Sequence, residues 1–252
     1  MKLSAVIITY NEEKNIERCL KSLKDVADEI VVLDSFSADK TEEICKKYDV
    51  KFFRHKFDGY TEQKNKAVDL AENDFVISLD ADEALSEELK NSIKKLKENP
   101  GYDAYKFNRL NIYCGKSVKH TSWYPDRKIR LWNKNKGKWE GDKIHETVKV
   151  KQAAKTGFLK GDLLHYSYNS IEEHIAQTNK FTTISAKELF EQGKKSSISI
   201  IIIKTIGSFA KEFLFKFAFL DGFYGIVVGG INTFSVFLKY SKLKALIDKS
   251  GK

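Results

Sequence analysis

Asp80 and Asp82 stand one residue apart at the end of an apolar run, Phe75-Val76-Ile77-Ser78-Leu79. On extended backbone, residues i and i+2 project to the same side. Two carboxylates so placed repel unless something positive lies between them. Mg²⁺ or Mn²⁺ meets that need, because both prefer oxygen ligands and are held by one or two carboxylates together with substrate phosphates. A lone Asp-x-Asp also has a plainer reading. Residues 84–96 are helical in pattern, so Asp80 could cap that helix and Asp82 and Glu83 could be the acids of its first turn.

The elements that must position the pair decide between these readings. Upstream, apolar runs at residues 3–10, 29–33 and 50–54 read as strands, and 13–23, 40–48 and 60–71 read as helices. Alternation about every 20 residues is the rhythm of βαβ units and a parallel sheet. Ligands of such sheets sit beyond the carboxyl ends of the strands. Thr9, Tyr10, Asn11 and Glu12 follow the first strand, Asp34 ends the second, and Asp80 and Asp82 end the fourth. Asp34 alone would read as a cap or turn residue. Three polar clusters on one sheet edge point to a binding site.

From residue 102 the rhythm changes to apolar–polar alternation. Strands are expected over 104–113, 127–132, 144–148 and 158–166, a turn over 137–141 and a helix over 172–192. This is an antiparallel extension of the parallel sheet. The fold class is therefore α/β, with a catalytic domain over 1–185 (halves 1–100 and 101–185) and a C-terminal helical region over 186–252.

The chain has 252 residues, enough for one large domain with an appendage, and its three cysteines form no C-x-x-C pair. That spacing excludes a disulfide framework and a zinc site and fits a reducing compartment. The first apolar run is too short for a secretory signal, so the body is expected in the cytoplasm. The net charge is +9, and from Lys187 onward 11 Lys face 5 Asp/Glu. No nucleic-acid motif accompanies this charge, so no nucleic-acid partner is expected. Lysines instead alternate with bulky apolar residues: Ile198, Phe209, Phe213, Phe217 and Leu220 around Lys204, Lys211 and Lys216. Residues 222–238 are charge-free, at the bottom of the spanning range, and contain four glycines. The reading is amphipathic helices lying on the inner face of the cell membrane, with Lys239, Lys242 and Lys244 near anionic head groups. A packed helical hairpin, a homo-oligomer interface and a single span are the alternatives.

The motif set Val6-Ile7-Ile8-Thr9-Tyr10-Asn11-Glu12, Val31-Val32-Leu33-Asp34-Ser35 with Ser37, Asp39 and Thr41, Gln63-Lys64-Asn65 and Leu79-Asp80-Ala81-Asp82-Glu83 resembles the family 2 glycosyltransferases. These are inverting enzymes of the GT-A fold that use nucleotide-sugar donors. Tyr124-Pro125-Asp126, Arg130-Leu131-Trp132, His145-Glu146 and Phe219-Leu220-Asp221-Gly222 look like the lipopolysaccharide-core β-glucosyltransferase subgroup. The resemblance implies a UDP-hexose donor, a lipid-linked saccharide acceptor and a divalent metal. It assigns Thr9, Tyr10, Asn11, Glu12, Asp34, Gln63, Lys64, Asn65, Asp80 and Ala81 to the nucleotide sugar. Asp80 and Asp82 match the metal pair, Asp82 being the more direct ligand, and His165 would be a late third ligand or simply a packed strand residue. Ser35 stands where the family often has a second Asp.

Expelling a nucleoside diphosphate requires stabilising its negative charge, and the attacking hydroxyl must lose a proton to a carboxylate on the opposite face. Glu146 is the first choice of base, Asp126 the second, and His145 could orient the acceptor. Arg127 and Arg130 suit diphosphate oxygens, though an exposed strand face explains Arg130 equally well. A GT-A-like nucleotidyltransferase is the alternative enzyme, but it would open with a Gly-rich, basic loop where Thr9-Tyr10-Asn11-Glu12 stands. A glycosyltransferase with another donor or acceptor, such as a cell-wall or exopolysaccharide intermediate, is also open, as is a non-enzymatic membrane scaffold.

Overall fold

The computed structural model describes residues 1–141 and 146–250. The four expected strands of the first half form as Leu3–Thr9 (β1), Glu29–Asp34 (β2), Lys51–Arg54 (β3) and Phe75–Asp80 (β4). They alternate with helices Ile16–Leu23 (α1), Thr41–Cys45 (α2) and Tyr60–Asp69 (α3). β1 pairs in parallel with β2 and β4, and β2 with β3. The central position of β1 explains its continuous burial, since both faces are covered. Leu3, Ala5 and Ile7 pack with Ile16, Leu20 and Leu23 of α1. Val6 faces the other way, toward Ala67 and Val68 of α3 and toward Trp132.

After β4 the chain makes a short strand, Glu83–Leu85 (β5), where the local pattern predicts the start of a helix. The helix Glu87–Glu98 (α4) begins only after Ser86, whose hydroxyl accepts from Leu89 N at 3.2 Å. The antiparallel half follows as Ala104–Tyr113 (β6), Lys116–Ser117 (β7), Asp126–Asn133 (β8), Gly137–Glu140 (β9), Thr147–Val150 (β10) and Thr156–Tyr168 (β11). β8 runs antiparallel to both β4 and β6. The sheet order is β3-β2-β1-β4-β8-β6-β11-β5, with β7 on β6. β11 pairs antiparallel with β5, setting His165 opposite Glu83. This pairing holds residues 83–85 extended. Gly161 of β11 has φ +99°, and a Cβ there would lie 2.3 Å from Leu89 N, so only glycine fits.

Residues 137–140 are a strand rather than the expected turn and pair with β10. The cause is Trp139, which is buried and packs edge-on to Trp132 with ring centroids 6.0 Å apart. Of the strand expected over 144–148, residues 144 and 145 lie outside the described residues, and pairing starts at Thr147.

The chain condenses into two compact units, Met1–Arg109 with Asp126–His165, and Leu110–Pro125 with Tyr166–Lys252. These boundaries differ from a division after residue 185, because residues 110–125 and 166–185 belong to the second unit. That unit also holds helices Ile171–Glu191 (α5), Ile198–Ala210 (α6) and Gly222–Ser250 (α7), with a π turn at Lys211–Phe215 and a 3₁₀ turn at Ala218–Asp221. α7 packs on α5 and α6. Gly225 allows close approach to the 3₁₀ turn, since a Cβ there would lie 2.0 Å from Ala218 O. His174 is enclosed by aromatic rings, stacks on Tyr168 at 4.5 Å and lies 3.2 Å by Nδ1 from Tyr113 OH. Burial pushes its imidazole down to about 4.

Two acids interrupt the apolar C-terminal sequence, and both are spent on residues 119–122. Glu212 is buried and accepts from Ser122 N at 2.9 Å and Asn232 Nδ2 at 3.2 Å. Asp221 accepts from Lys119 N at 2.7 Å and His120 N at 2.6 Å, and lies 2.7 Å from His120 Nδ1. Lys242, expected beside head groups, is instead bonded at 2.8 Å to Asn179 O and Thr182 Oγ1 of α5. Among the described residues one helical stretch, Ala218–Ser250, is long and apolar enough to cross a membrane by length and composition. α6 buries none of its residues, and Ile198 (71%), Ile203 (66%), Phe215 (76%) and Phe223 (65%) are widely exposed.

Candidate active site

Eight of the residues singled out from sequence come together at the carboxyl ends of β1, β2 and β4. Thr9, Tyr10, Glu12, Gln63, Asp80, Ala81, Asp82 and His165 line one cavity of about 810 Å³ in the first unit. Its lining is of two kinds. Exposed aromatic rings, Tyr10, Phe36, Phe57 and Tyr60, are suited to stacking on a planar base. Phe57 and Tyr60 meet edge to face at 5.0 Å. Phe36 holds φ +62°, a conformation that costs a bulky residue energy and marks functional loops. Asp82 and His165 are part of the same lining. Sequence reasoning misses Phe36, Phe57 and Tyr60, because aromatic residues in a loop or at a helix's first position carry no periodic signal.

The loop after β1 is sewn to the loop after β2. Asn11 N donates to Ser37 Oγ and Ala38 N donates to Asn11 Oδ1, each at 2.8 Å. Glu12 N donates to Thr41 Oγ1 at 2.8 Å, and Glu13 N to Asp39 Oδ2 at 3.0 Å. Ser37, Asp39 and Thr41 thus shape the site without lining it. Asp34 is buried and accepts from Ser37 N at 2.8 Å. Burial raises the Glu12 carboxyl, against the lowering effect of its bond from Asn15. Gln63 donates to Ser35 Oγ at 3.0 Å and lies 3.1 Å from His55 Nδ1. Thr9 Oγ1 is buried without a partner.

Asn11, Asp34, Lys64, Asn65 and Arg130 do not line this cavity. Asn65 is fully engaged with the Trp139 backbone, donating to its O and accepting from its N at 3.0 Å each. Lys64 is 2% exposed, and its Nζ lies 3.0 Å from Asp80 Oδ1, 2.9 Å from Glu146 Oε1 and 4.5 Å over the Trp139 ring. Arg130 is buried as well, not on an exposed face, and its Nη2 reaches Asp80 Oδ2 at 3.4 Å and Glu83 Oε1 at 3.2 Å. Glu83 also accepts from Asp80 N at 2.9 Å, fixing the strand end, and lies 3.6 Å from Arg109 Nη1. Burial alone would raise the Asp80 carboxyl, but the charges of Lys64 and Arg130 overcome it and hold Asp80 well below the usual carboxylate range. Glu83, read from the sequence as an acid of the next helix's first turn, and Arg109, which the sequence reading does not single out, thus adjoin Asp80.

Glu146 lines a second, smaller cavity of about 140 Å³ whose lining also includes Asp80, Arg109, Lys128, Arg130 and Trp139. Asp80 lines both cavities. Asp126 lines neither, and is held by Arg109 Nη2 at 3.1 Å and Lys128 Nζ at 3.3 Å. His145 lies outside the described residues. Arg127 stacks over Phe158 at 5.5 Å. Trp132 and Trp139 are core, and Trp123 joins the aromatic cluster of the second unit.

The donor chemistry suits a divalent cation. Asp82 Oδ2 and His165 Nε2 lie 3.2 Å apart and both line the large cavity. Adjacent ligands of a six-coordinate ion with bonds of about 2.1 Å are separated by about 3 Å. Among the described residues no group of three or more His, Cys, Asp or Glu is gathered for a metal. Substrate oxygens would therefore complete the shell, as is usual for Mg²⁺ and Mn²⁺.

A parallel α/β half with a cavity over its strand ends, continued by antiparallel strands, is the arrangement of the GT-A fold. The chain belongs to the glycosyl transferase family 2, whose model matches residues 4–160. It is similar to an uncharacterized glycosyltransferase of Rickettsia typhi, 34% identical over 99% of this chain and 89% of the relative. It is 29% identical to the lipopolysaccharide core biosynthesis glycosyltransferase LpsC of Rhizobium meliloti, over 77% of this chain and 74% of LpsC. Among solved structures, S. aureus TarS in complex with UDP aligns with a TM-score of 0.45 at 17% identity, over 100% of this chain and 92% of that one.

Proposed function

We propose that this glycosyltransferase moves a hexose, glucose by the subgroup resemblance, from a UDP-sugar to a hydroxyl of a lipid-linked glycan such as a lipopolysaccharide core, with inversion. The observation that carries the reading is one cavity lined both by aromatic rings and by Asp82 with His165, with Asp80 shared with the cavity that holds Glu146. The base and ribose lie against Tyr10, Phe36, Phe57 and Thr9. Asp82 and His165 would hold the divalent metal, which would supply charge neutralisation to the departing diphosphate. Glu146 takes the proton of the acceptor hydroxyl as its oxygen bonds to the anomeric carbon and the bond to UDP breaks. Lys64 holds Glu146 in place. One base and one displacement give inversion.

Calorimetric titration tests the donor half. UDP is expected to bind with Mn²⁺ present, to bind about tenfold or more weakly without it, and to lose the Mn²⁺ effect in Asp82→Ala. GDP is expected to bind more weakly than UDP. Binding of neither nucleotide under any condition ends this reading.

The exposed apolar side of α6 and the two turns that follow fits the cytoplasmic face of a membrane, where a lipid-linked acceptor is held. LpsC, named for lipopolysaccharide core biosynthesis, supports this acceptor class. The full chain is expected to float with vesicles containing anionic lipid, less so in high salt. Ile203→Glu combined with Phe219→Glu is expected to lower that binding about tenfold or more. A chain that ignores vesicles and dimerises through these residues would reassign the face to a second copy.

A further inference from the structure

We infer that the small cavity lined by Glu146 is a subsite for an anionic group, a phosphate or a carboxylate, carried by the acceptor sugar itself. The inference rests on the reading of Glu146 as the base that meets the acceptor hydroxyl.

The lining combines three cations, Arg109, Lys128 and Arg130, with two carboxylates, Asp80 and Glu146. Both carboxylates are already committed to Lys64, at 3.0 and 2.9 Å, and Arg130 Nη2 reaches Asp80 at 3.4 Å and Glu83 at 3.2 Å, which leaves Arg130 its Nε and Nη1. Arg109 reaches Asp126 through Nε and Nη2, each at 3.1 Å, and Lys128 reaches Asp126 at 3.3 Å with its side chain 42% exposed. An ammonium carries three donors, so Lys128 keeps capacity for a ligand.

The second observation is independent of charge. Arg130 and Trp139 are 4% and 3% exposed, and both line this cavity. Arg130 Nε, Arg130 Nη1 and Trp139 Nε1 are buried without hydrogen-bond partners; Asp80 Oδ1 is the fourth such atom of the lining, with Lys64 Nζ as its counter-charge at 3.0 Å. Buried polar groups are nearly always paired, and exceptions call for an ion, a water or a ligand. The three nitrogens are donors and the one oxygen already faces a cation, so the group still lacking is an acceptor. A phosphate or carboxylate accepts on every oxygen and matches the guanidinium fork.

Size separates this site from the donor site. About 140 Å³ admits a charged substituent and part of a sugar, whereas the nucleotide needs the cavity of about 810 Å³. Because Glu146 lines the same small cavity, the anion and the reacting hydroxyl belong to one sugar. A neutral sugar would leave the donors unpaired, and a site built to hydrogen-bond a group discriminates strongly against analogues lacking it.

The test is titration of the full chain with glucose, glucose 6-phosphate and glucuronate, followed by ligand-observed NMR, with and without UDP and Mn²⁺. At least one charged sugar is expected to bind about tenfold or more tightly than glucose, and the two charged arms tell phosphate from carboxylate. Lys128→Gln is expected to erase most of that preference. Lys138→Gln, which removes a charge from a 70% exposed side chain outside the cavity, is expected to keep it. Equal binding of charged and neutral sugars, no binding of any, or a preference untouched by Lys128→Gln overturns the inference. UDP binding in the same samples separates the two readings. If UDP binds and charge preference is absent, only this inference fails. If UDP does not bind, the donor assignment fails while the comparison among sugars still decides this one.

Discussion

Glu146→Gln is expected to lower the transfer rate about 10³-fold while leaving UDP binding within about twofold, the loss typical for removal of a general base. The substitution is nearly isosteric, and the amide oxygen can still accept from Lys64 Nζ, 2.9 Å from the carboxylate it replaces. What is lost is the capacity to take a proton. Asp126→Asn is the matched comparison. Asp126 is gripped by Arg109 and Lys128 and lines neither cavity, so its neutralisation is expected to cost less than tenfold in rate, about 1 kcal/mol. Single-turnover transfer to an isolated acceptor reads both. The reverse order, with Asp126→Asn the more damaging, would move the base to Asp126.

Lys64→Met is expected to destabilise the first unit by about 3 kcal/mol or more, the range for breaking a buried ion pair from one side. Lys64 is 2% exposed and lies between Asp80 and Glu146. Methionine can keep the contact with Trp139 but leaves two partly buried carboxylates facing each other, with only Arg130 on Asp80. The effect has a predictable pH dependence. Burial raises the Asp80 carboxyl, and Lys64 and Arg130 more than reverse this, so its folded value lies below the unfolded one of about 3.9. A carboxyl lowered in the fold contributes stability that is present above the unfolded value and is lost as pH falls through the folded one. The gap between wild type and Lys64→Met in urea unfolding is therefore widest above about pH 4 and narrows below it. A gap that is constant with pH would mean that the loss is packing around Trp139 and not charge.

The cluster at the strand ends is largely legible in the sequence. Strand ends announce themselves through short apolar runs that stop at polar residues, and Thr9, Glu12, Asp80 and Asp82 stand at such stops. The antiparallel half was less legible. Residues 137–140 look like a turn because Gly137 and Gly141 bracket them, and only the burial of Trp139 against Trp132 makes them a strand. Arg130 alternates with apolar neighbours as an exposed residue does, yet it is buried because Asp80 and Glu83 stand opposite. Periodicity tells which side chains share a face and says nothing about what covers that face.

By itself, the sequence determined the order of strands and helices in the first half, the class of sheet and the family motifs, because these depend on local period and composition. Only the tertiary structure decided which distant residues meet. His165 reaches Asp82 because β11 pairs with β5 in one register, and a slip of one residue would turn it to the other face. Lys64 joins Asp80 to Glu146 across 82 residues, and Glu83 ties Asp80 to Arg130 and Arg109. Such contacts are set by cross-strand register and by the cost of burying an unpaired charge, and neither is written in the spacing of residues along the chain.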